Sequence, residues 1–314
     1  MKKKSLLKLN LQTFAKQTYT PDTVTMQTAK TGEIPKHIAE EIIVGAKNGS
    51  AMMKLAKAIP MTKPIEEFTY MSGVGAYWVN ETERIQTSKP TFVRAEMQAH
   101  KMAVIIPTSK ENLKHSIPEF FALMKPEIEE AFHKKFDQAT FSGVDSPYAF
   151  DILKSATAAE NLVTVSDNKY DDLNEAMGMV EDADLDPNAI ATSRQQKRVY
   201  RGTKDQNGLP IFNSTGSDNP DEVLGLPLAY SYKGAYGEKI LEIVGDWNYA
   251  YYGILDNIQY EILTEATLTT VVDQDGEPLS LAERDMAAIK ATFSLGFMVV
   301  KDDAFAVVQP VPGV

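Results

Sequence analysis

IPEFFALMKPEIEEAFHKKFDQATFSG, residues 117–143, carries the strongest helical pattern in the chain. Phe120, Phe121, Met124, Ile128, Phe132, Phe136 and Ala139 recur at the spacing of one face of an α-helix. Ser116 suits an N-cap and Pro118 a first helical turn, so the pattern predicts a helix from there to Phe141, ending before Gly143. Glu127, Glu129 and Glu130 precede Lys134 and Lys135, which supports a solvated opposite face. A helix this long with one wide apolar face needs a sheet or other helices to cover it.

The flanking sequence supplies strands. Upstream, IEEFTYMS (65–72) and VRAEMQAHKMAVIIP (93–107) read as two strands of a long excursion whose polar tip lies around Glu81–Lys89. An isolated hairpin is marginal in water, so such an excursion suggests a neighbouring subunit. Residues 15–33 lack periodicity and read as an extended arm; a helix pattern follows from Pro35 to Asn48-Gly49, then a short one around Met52 and Leu55. Downstream, helix and strand patterns alternate. YDDLNEAMGMVEDA (170–183) predicts a helix capped by Ser166 or Asp167, NAIATS (188–193) a buried strand, and RQQKRVYRG (194–202) a basic helix. LGLPLAYS (224–231), KILEIVGD (239–246), YAYYGIL (249–255) and NIQYEILTEATL (257–268) are strand candidates, and Asp275-Gly276 signals a hairpin turn. The tail, 285–310, predicts a long strand, a turn at Lys301-Asp302-Asp303 and a short returning strand. The class is therefore α+β.

Composition narrows function. The chain has 314 residues, 43% hydrophobic, no cysteine and a net charge of −11. Disulfides, thiolate metal sites and a cysteine nucleophile are excluded. No apolar run approaches the ~20 residues of a membrane helix. So acidic a chain is a poor general binder of phosphate backbones. His37, His100, His115 and His133 lie on separate elements without metal-ligand spacing. Gly73-Val74-Gly75 lacks the third glycine and the helix of a dinucleotide loop, and EDADLD (181–186) lacks the glycine of a calcium loop. No catalytic constellation stands out, and neither a cofactor nor a metal is expected.

The N-terminus runs against the acidic balance. Lys2, Lys3, Lys4 and Lys8 precede any acid, and LLKLNLQTFAKQ (6–17) places Leu7, Leu11 and Phe14 on one helical face. Lys8, Asn10 and Gln12 break the apolar core a secretory signal would need.

The order of elements resembles the major capsid protein of tailed bacteriophages, the Hong Kong 97 fold. GAYWVNETERIQTSKPTFVRAEMQAHKMAVIIPTSKENL (75–113) is similar to that family's E-loop and return strand, and 117–143 to the spine helix of its P-domain. LGLPLAYS (224–231) and VGDWNYAYYGILDNIQYEI (244–262) resemble the Gly-Leu-Pro strand of the A-domain and the segment returning to the P-domain. The likeness is greatest to capsid proteins of siphophages of low-GC Gram-positive bacteria. It implies a presequence (1–14), an N-arm (15–33), N-terminal helices (34–62), an E-loop with flanking strands (63–107), a P-domain spine helix (108–143), an α/β A-domain (144–256) and P-domain return strands (257–314). LKLNLQTFA is similar to the extension of a ribosomal protein that a host cysteine protease removes, which implies cleavage between Phe14 and Ala15.

The resemblance implies a non-enzymatic virion protein that is assembled in the host cytoplasm. Its hexamers and pentamers form an icosahedral shell around double-stranded DNA, with no sequence-specific grip on that DNA. A separate scaffolding protein and a portal protein are the implied partners, and no membrane is. E-loop contacts with a neighbour would fall to Tyr77, Trp78, Glu81, Arg84, Lys89 and Phe92, aromatic and long charged side chains of the kind found at interfaces. The alternatives are an encapsulin-type compartment shell and a two-domain α/β enzyme.

Overall fold

The computed structural model describes residues 22–23, 49–72, 84, 91–204, 207, 211–212, 222–272 and 276–311. The strands are β1 (Asp22–Thr23), β2 (Lys57–Pro60), β3 (Ile65–Ser72), β4 (Thr91–Ser109), β5 (Leu162–Thr164), β6 (Ala189–Ser193), β7 (Glu222–Val223), β8 (Leu226–Ser231), β9 (Glu242–Gly245), β10 (Ala250–Leu263), β11 (Thr267–Val272), β12 (Pro278–Ser280), β13 (Met286–Val299) and β14 (Phe305–Gln309). The helices are α1 (Ala51–Leu55), α2 (Lys110–Phe141), α3 (Ile152–Ala158), α4 (Lys169–Glu181) and α5 (Gln196–Gly202). The strands form three sheets, ordered β1-β11-β12, β2-β10-β13-β4-β3 and β5-β14-β9-β6-β8-β7. The helix pattern at 35–47 lies outside the described residues.

The chain divides into two compact units. One comprises residues 1–49, 103–136 and 258–293. Its core joins Leu268, Leu279, Leu281 and Ala288, with Leu263, Val271 and Met286 packed against them. Phe132 of α2 meets Phe293 of β13 at 6.0 Å between ring centres. β11 and β12 pair antiparallel, as Asp275-Gly276 predicts, and β1 adds in parallel at Val271 and Val272.

The other unit comprises residues 50–102, 137–257 and 294–314. β3 and β4 pair in one unbroken antiparallel register, from Ile65 opposite Gln98 to Ser72 opposite Thr91. Met61 and Met97, clustered with Met298, fill the space over Gly253 and Gly296, where a Cβ at Gly253 would fall 2.5 Å from Met61 Cγ. Unbranched methionine suits so irregular a gap. In the six-stranded sheet, β9 is antiparallel to β6 and β14, while β6 runs parallel to β8 and β14 to β5. All five residues of β6 are buried, as a strand covered on both faces requires. Phe141 stacks on Tyr236 at 5.1 Å and meets Trp247 edge-on at 6.1 Å.

Several expectations need correction. α2 begins at Lys110, not at Ser116, which leaves Pro118 inside the helix. Tertiary contacts extend it, since Lys110 donates its backbone N–H to the Asp285 carbonyl at 3.1 Å and its ammonium lies 3.2 Å from the Asp285 carboxylate. The cap of α4 is Asn168, whose side chain accepts from the Tyr170 N–H at 3.2 Å. Where 249–255 and 257–268 read as two strands, Ala250–Leu263 form the single strand β10. The short returning strand, β14, pairs with β9 and β5 in the six-stranded sheet.

The end of α2 follows the sequence. Gly143 has φ +64°, and a Cβ there would lie 2.5 Å from Asp151 Oδ2. Asp151 also caps α3, accepting from the Lys154 N–H at 2.8 Å. Gly143→Ala is expected to cost about 2–3 kcal/mol of stability, through left-handed backbone strain and a displaced cap. Chemical denaturation with an unchanged m-value checks it.

Candidate assembly surface and buried polar sites

β3 and β4 form the antiparallel pair of the excursion, and their register runs to Ser72 opposite Thr91. Of the six residues assigned to contacts, Arg84 is exposed to solvent. Phe92 lies in β4 opposite Met71. Tyr77, Trp78, Glu81, Lys89 and the side chain of Phe92 lie outside the described residues, as do Phe14 and Ala15. Among the described residues β3 is the last strand of its sheet, the kind of edge that can pair with another chain. Ile65 on this strand is 49% exposed.

His115 and His133 both lie on α2, which corrects the reading that the histidines sit on separate elements. His100 packs edge-on against Tyr148 at 5.4 Å, and Tyr148 donates its hydroxyl to the Leu295 carbonyl at 3.2 Å. His133 is half-buried on α2. His37 and the side chain of His115 lie outside the described residues. Among the described residues, no three His, Asp or Glu side chains are placed to hold a metal ion, and no helix is long and apolar enough to cross a membrane.

Two buried carboxylates escape a reading of the sequence. Glu242 of β9 is fully buried; Lys169 Nζ lies 2.8 Å from its Oε2, and the Tyr200 hydroxyl donates to Oε1 at 2.5 Å. Burial raises the Glu242 carboxyl above its ordinary value while Lys169 opposes the shift. Burial and the adjacent carboxylate together raise Tyr200 well above the phenol value. A lone glutamate inside the apolar run Ile240–Val244 is the signal that a cation must be near.

Asp137 of α2 is the second. Its Oδ1 accepts from Ser50 Oγ at 2.5 Å and the Met52 N–H at 3.2 Å; its Oδ2 accepts from the Ala51 N–H at 3.0 Å and Ser231 Oγ at 2.7 Å. It thereby satisfies donors at the first turn of α1 that the helix itself leaves open. Burial raises its carboxyl, and the four donors pull the other way. Both carboxylates are consumed by internal donors. A surface cleft of about 730 Å³ between α4 and α5 is lined by Val165, Lys169, Val199, Lys204 and Ile211. The buried cation at its wall, Lys169, is committed to Glu242.

The sequence matches the model of the phage capsid family over residues 32–309. The chain belongs to the phage capsid family. It is 35% identical over 317 aligned residues to the major capsid protein of Staphylococcus phage 80alpha, covering 99% of this chain and 96% of that one. It is 22% identical to a probable major capsid protein of Mycobacterium phage L5, covering 87% and 88%. A solved structure from Microbacterium phage Oxtober96 superposes with a TM-score of 0.74 at 27% identity, over 85% of this chain and 92% of that one. The fold is the Hong Kong 97-type capsid fold, and this family member is a structural protein of the phage head, not an enzyme.

Proposed function

We propose that the chain is the shell-forming subunit of a tailed phage head. It assembles as hexamers and pentamers into an icosahedral shell that encloses double-stranded DNA. The similarity to the phage 80alpha major capsid protein along nearly the whole chain carries this reading. Heterologous contacts that close give rings, the geometry capsomers need. Assembly takes place in the host cytoplasm, guided by a separate scaffolding protein around a portal protein. The E-loop, with Tyr77, Trp78, Glu81, Arg84, Lys89 and Phe92, lies across a neighbouring copy. A host cysteine protease cuts between Phe14 and Ala15. That cut removes Lys2, Lys3, Lys4 and Lys8 and leaves a more acidic shell with a weaker hold on DNA.

Co-expression with the scaffolding protein is expected to give closed shells by negative-stain electron microscopy, and small soluble oligomers alone would overturn the reading. The intact mass of virion-derived protein is expected to begin at Ala15. A mass that retains Met1–Phe14 would reject the cleavage.

A further inference from the structure

The six-stranded sheet carries opposite charge at its two ends. β6 is flanked by an acidic run on one side and the basic helix α5 on the other. Before it come Glu181, Asp182, Asp184 and Asp186, all exposed. The turn that precedes β14 joins them. Gly245 pairs with both Ala189 and Phe305, which puts residues 302–304 at the same end of the sheet. Lys301 Nζ, 3.3 Å from the Ala183 carbonyl, confirms the adjacency. Asp302 and Asp303 are exposed there, with Lys301 the cation beside them.

After β6 come Arg194, Arg198 and Arg201, all exposed, with Lys197 half-buried over the Tyr230 ring at 4.0 Å. Ser193 pairs with Ser231, so exposed Lys233 and Lys239 follow at this end as well. Asp167, Asp171 and Glu238 are exposed acids on this side. From Pro187 to Lys204 the chain has no acid at all.

The five residues of β6 span about 16 Å at ~3.3 Å each. That exceeds the Debye length of about 8–10 Å near physiological salt, so the two ends gain little from each other within one chain. They gain when a second copy brings opposite ends into contact. A patch selected for nucleic acid alone would need no acidic counterpart at the other end of the same strand. We propose that the two ends are the halves of one head-to-tail joint, with the basic end of each copy seated on the acidic end of a second copy. The joint rests on the reading of the chain as a ring-forming shell subunit. It adds which surfaces meet and what chemistry selects them.

Charge reversal tests it on the full chain co-expressed with its scaffolding protein. One variant carries Arg198→Glu and Arg201→Glu, another Glu181→Lys and Asp186→Lys, and a third all four. All are exposed sites, and thermal melting of each variant checks that it folds like the parent. Facing like charges cost several kcal/mol, so either double variant is expected to lower shell yield at least about tenfold. The fourfold variant, which restores opposite charges at every joint, is expected to recover to within about threefold of the parent. Raising salt from about 0.05 to about 0.5 M should depress the assembly rate of parent and fourfold variant alike. Double variants that assemble like the parent, or a fourfold variant no better than either, would overturn the joint. So would an effect of the basic reversal alone with less nucleic acid retained per shell, which would make the patch a nucleic-acid contact. A parent chain that makes no shells overturns the shell reading, and the joint with it.

Discussion

Replacing Lys169 by methionine is expected to lower the unfolding free energy by about 3–5 kcal/mol, the cost of stranding one member of a buried ion pair. The Lys169 side chain is 7% exposed and its partner Glu242 is wholly buried, at 2.8 Å. Methionine matches the stem of lysine, so packing is nearly conserved and the loss isolates the charge. Pairing Lys169→Met with Glu242→Gln should recover more than half of it. Glutamine keeps an acceptor for the Tyr200 hydroxyl, and a neutral buried site of similar volume can be as stable as an ion pair. Urea denaturation of the two variants, read from midpoints at constant m, decides it.

The pH dependence of the Lys169→Met variant follows from the same pair. Burial raises the Glu242 carboxyl above its ordinary 4.5, and Lys169 opposes that rise. Without the lysine the folded value rises further. A raised folded value means the native state holds its proton when the unfolded chain has released it. Stability is therefore greatest at low pH and falls as pH climbs from the ordinary glutamate value through the folded one. The deficit against the parent should narrow on acidification from pH 7 towards about 4.5. A deficit that is flat across that window would assign the loss to packing instead.

How much of this was legible depends on the range of the interaction. Buried Ile128, Phe132, Phe136 and Ala139 show the helical period of α2 as the sequence has it. Met97 is buried and its neighbours Glu96 and Gln98 are exposed, as alternation along β4 requires. The hairpin at Asp275-Gly276 and the stop at Gly143 are local backbone chemistry and were equally readable. The start of α2 was not. Ser116 and Pro118 form a sound local start signal, but Lys110 gains a partner in Asp285, far along the chain. The pairing of β14 with β9 and β5 is also non-local, and the sequence names no partner for that strand.

The polar sites show the same limit. Glu242 and Asp137 each stand beside buried apolar residues, so a partner was required, but nothing in the spacing points to Lys169 or to Ser50 and Ser231. Lys169 is even placed against local preference, because a cation at the first turn of a helix opposes the macrodipole. Its pairing with Glu242 outweighs that small cost. The charged ends of the sheet were visible as separate runs, 181–186 and 194–204. Only the strand register shows that they terminate one strand, and that residues 302–304 join the acidic side.

Asp137 is the position where a single atom change should be most informative. Asp137→Ala leaves the Ala51 and Met52 N–H groups without acceptors, at about 1–3 kcal/mol each, so about 2–6 kcal/mol in all. Asp137→Asn should lose about half as much. Each carboxylate oxygen faces one backbone N–H and one serine hydroxyl: Met52 and Ser50 on Oδ1, Ala51 and Ser231 on Oδ2. Whichever way the asparagine amide turns, its NH₂ confronts one backbone donor that cannot rotate, while the serine hydroxyl beside it can turn to accept. Ser50→Ala should cost only about 1 kcal/mol, since it removes a cap to the Met53 N–H and one of four donors to Asp137. The expected order of denaturation midpoints is therefore Ser50→Ala above Asp137→Asn above Asp137→Ala. Native-state hydrogen exchange locates the effect, with protection lost at Ala51 and Met52 first, because these amides hold the turn from which the chain enters β2 and then β3. If Asp137→Asn matched the parent, the four-donor geometry would carry no weight in the fold. If it equalled Asp137→Ala, the charge itself and not the acceptor count would hold α1 in place.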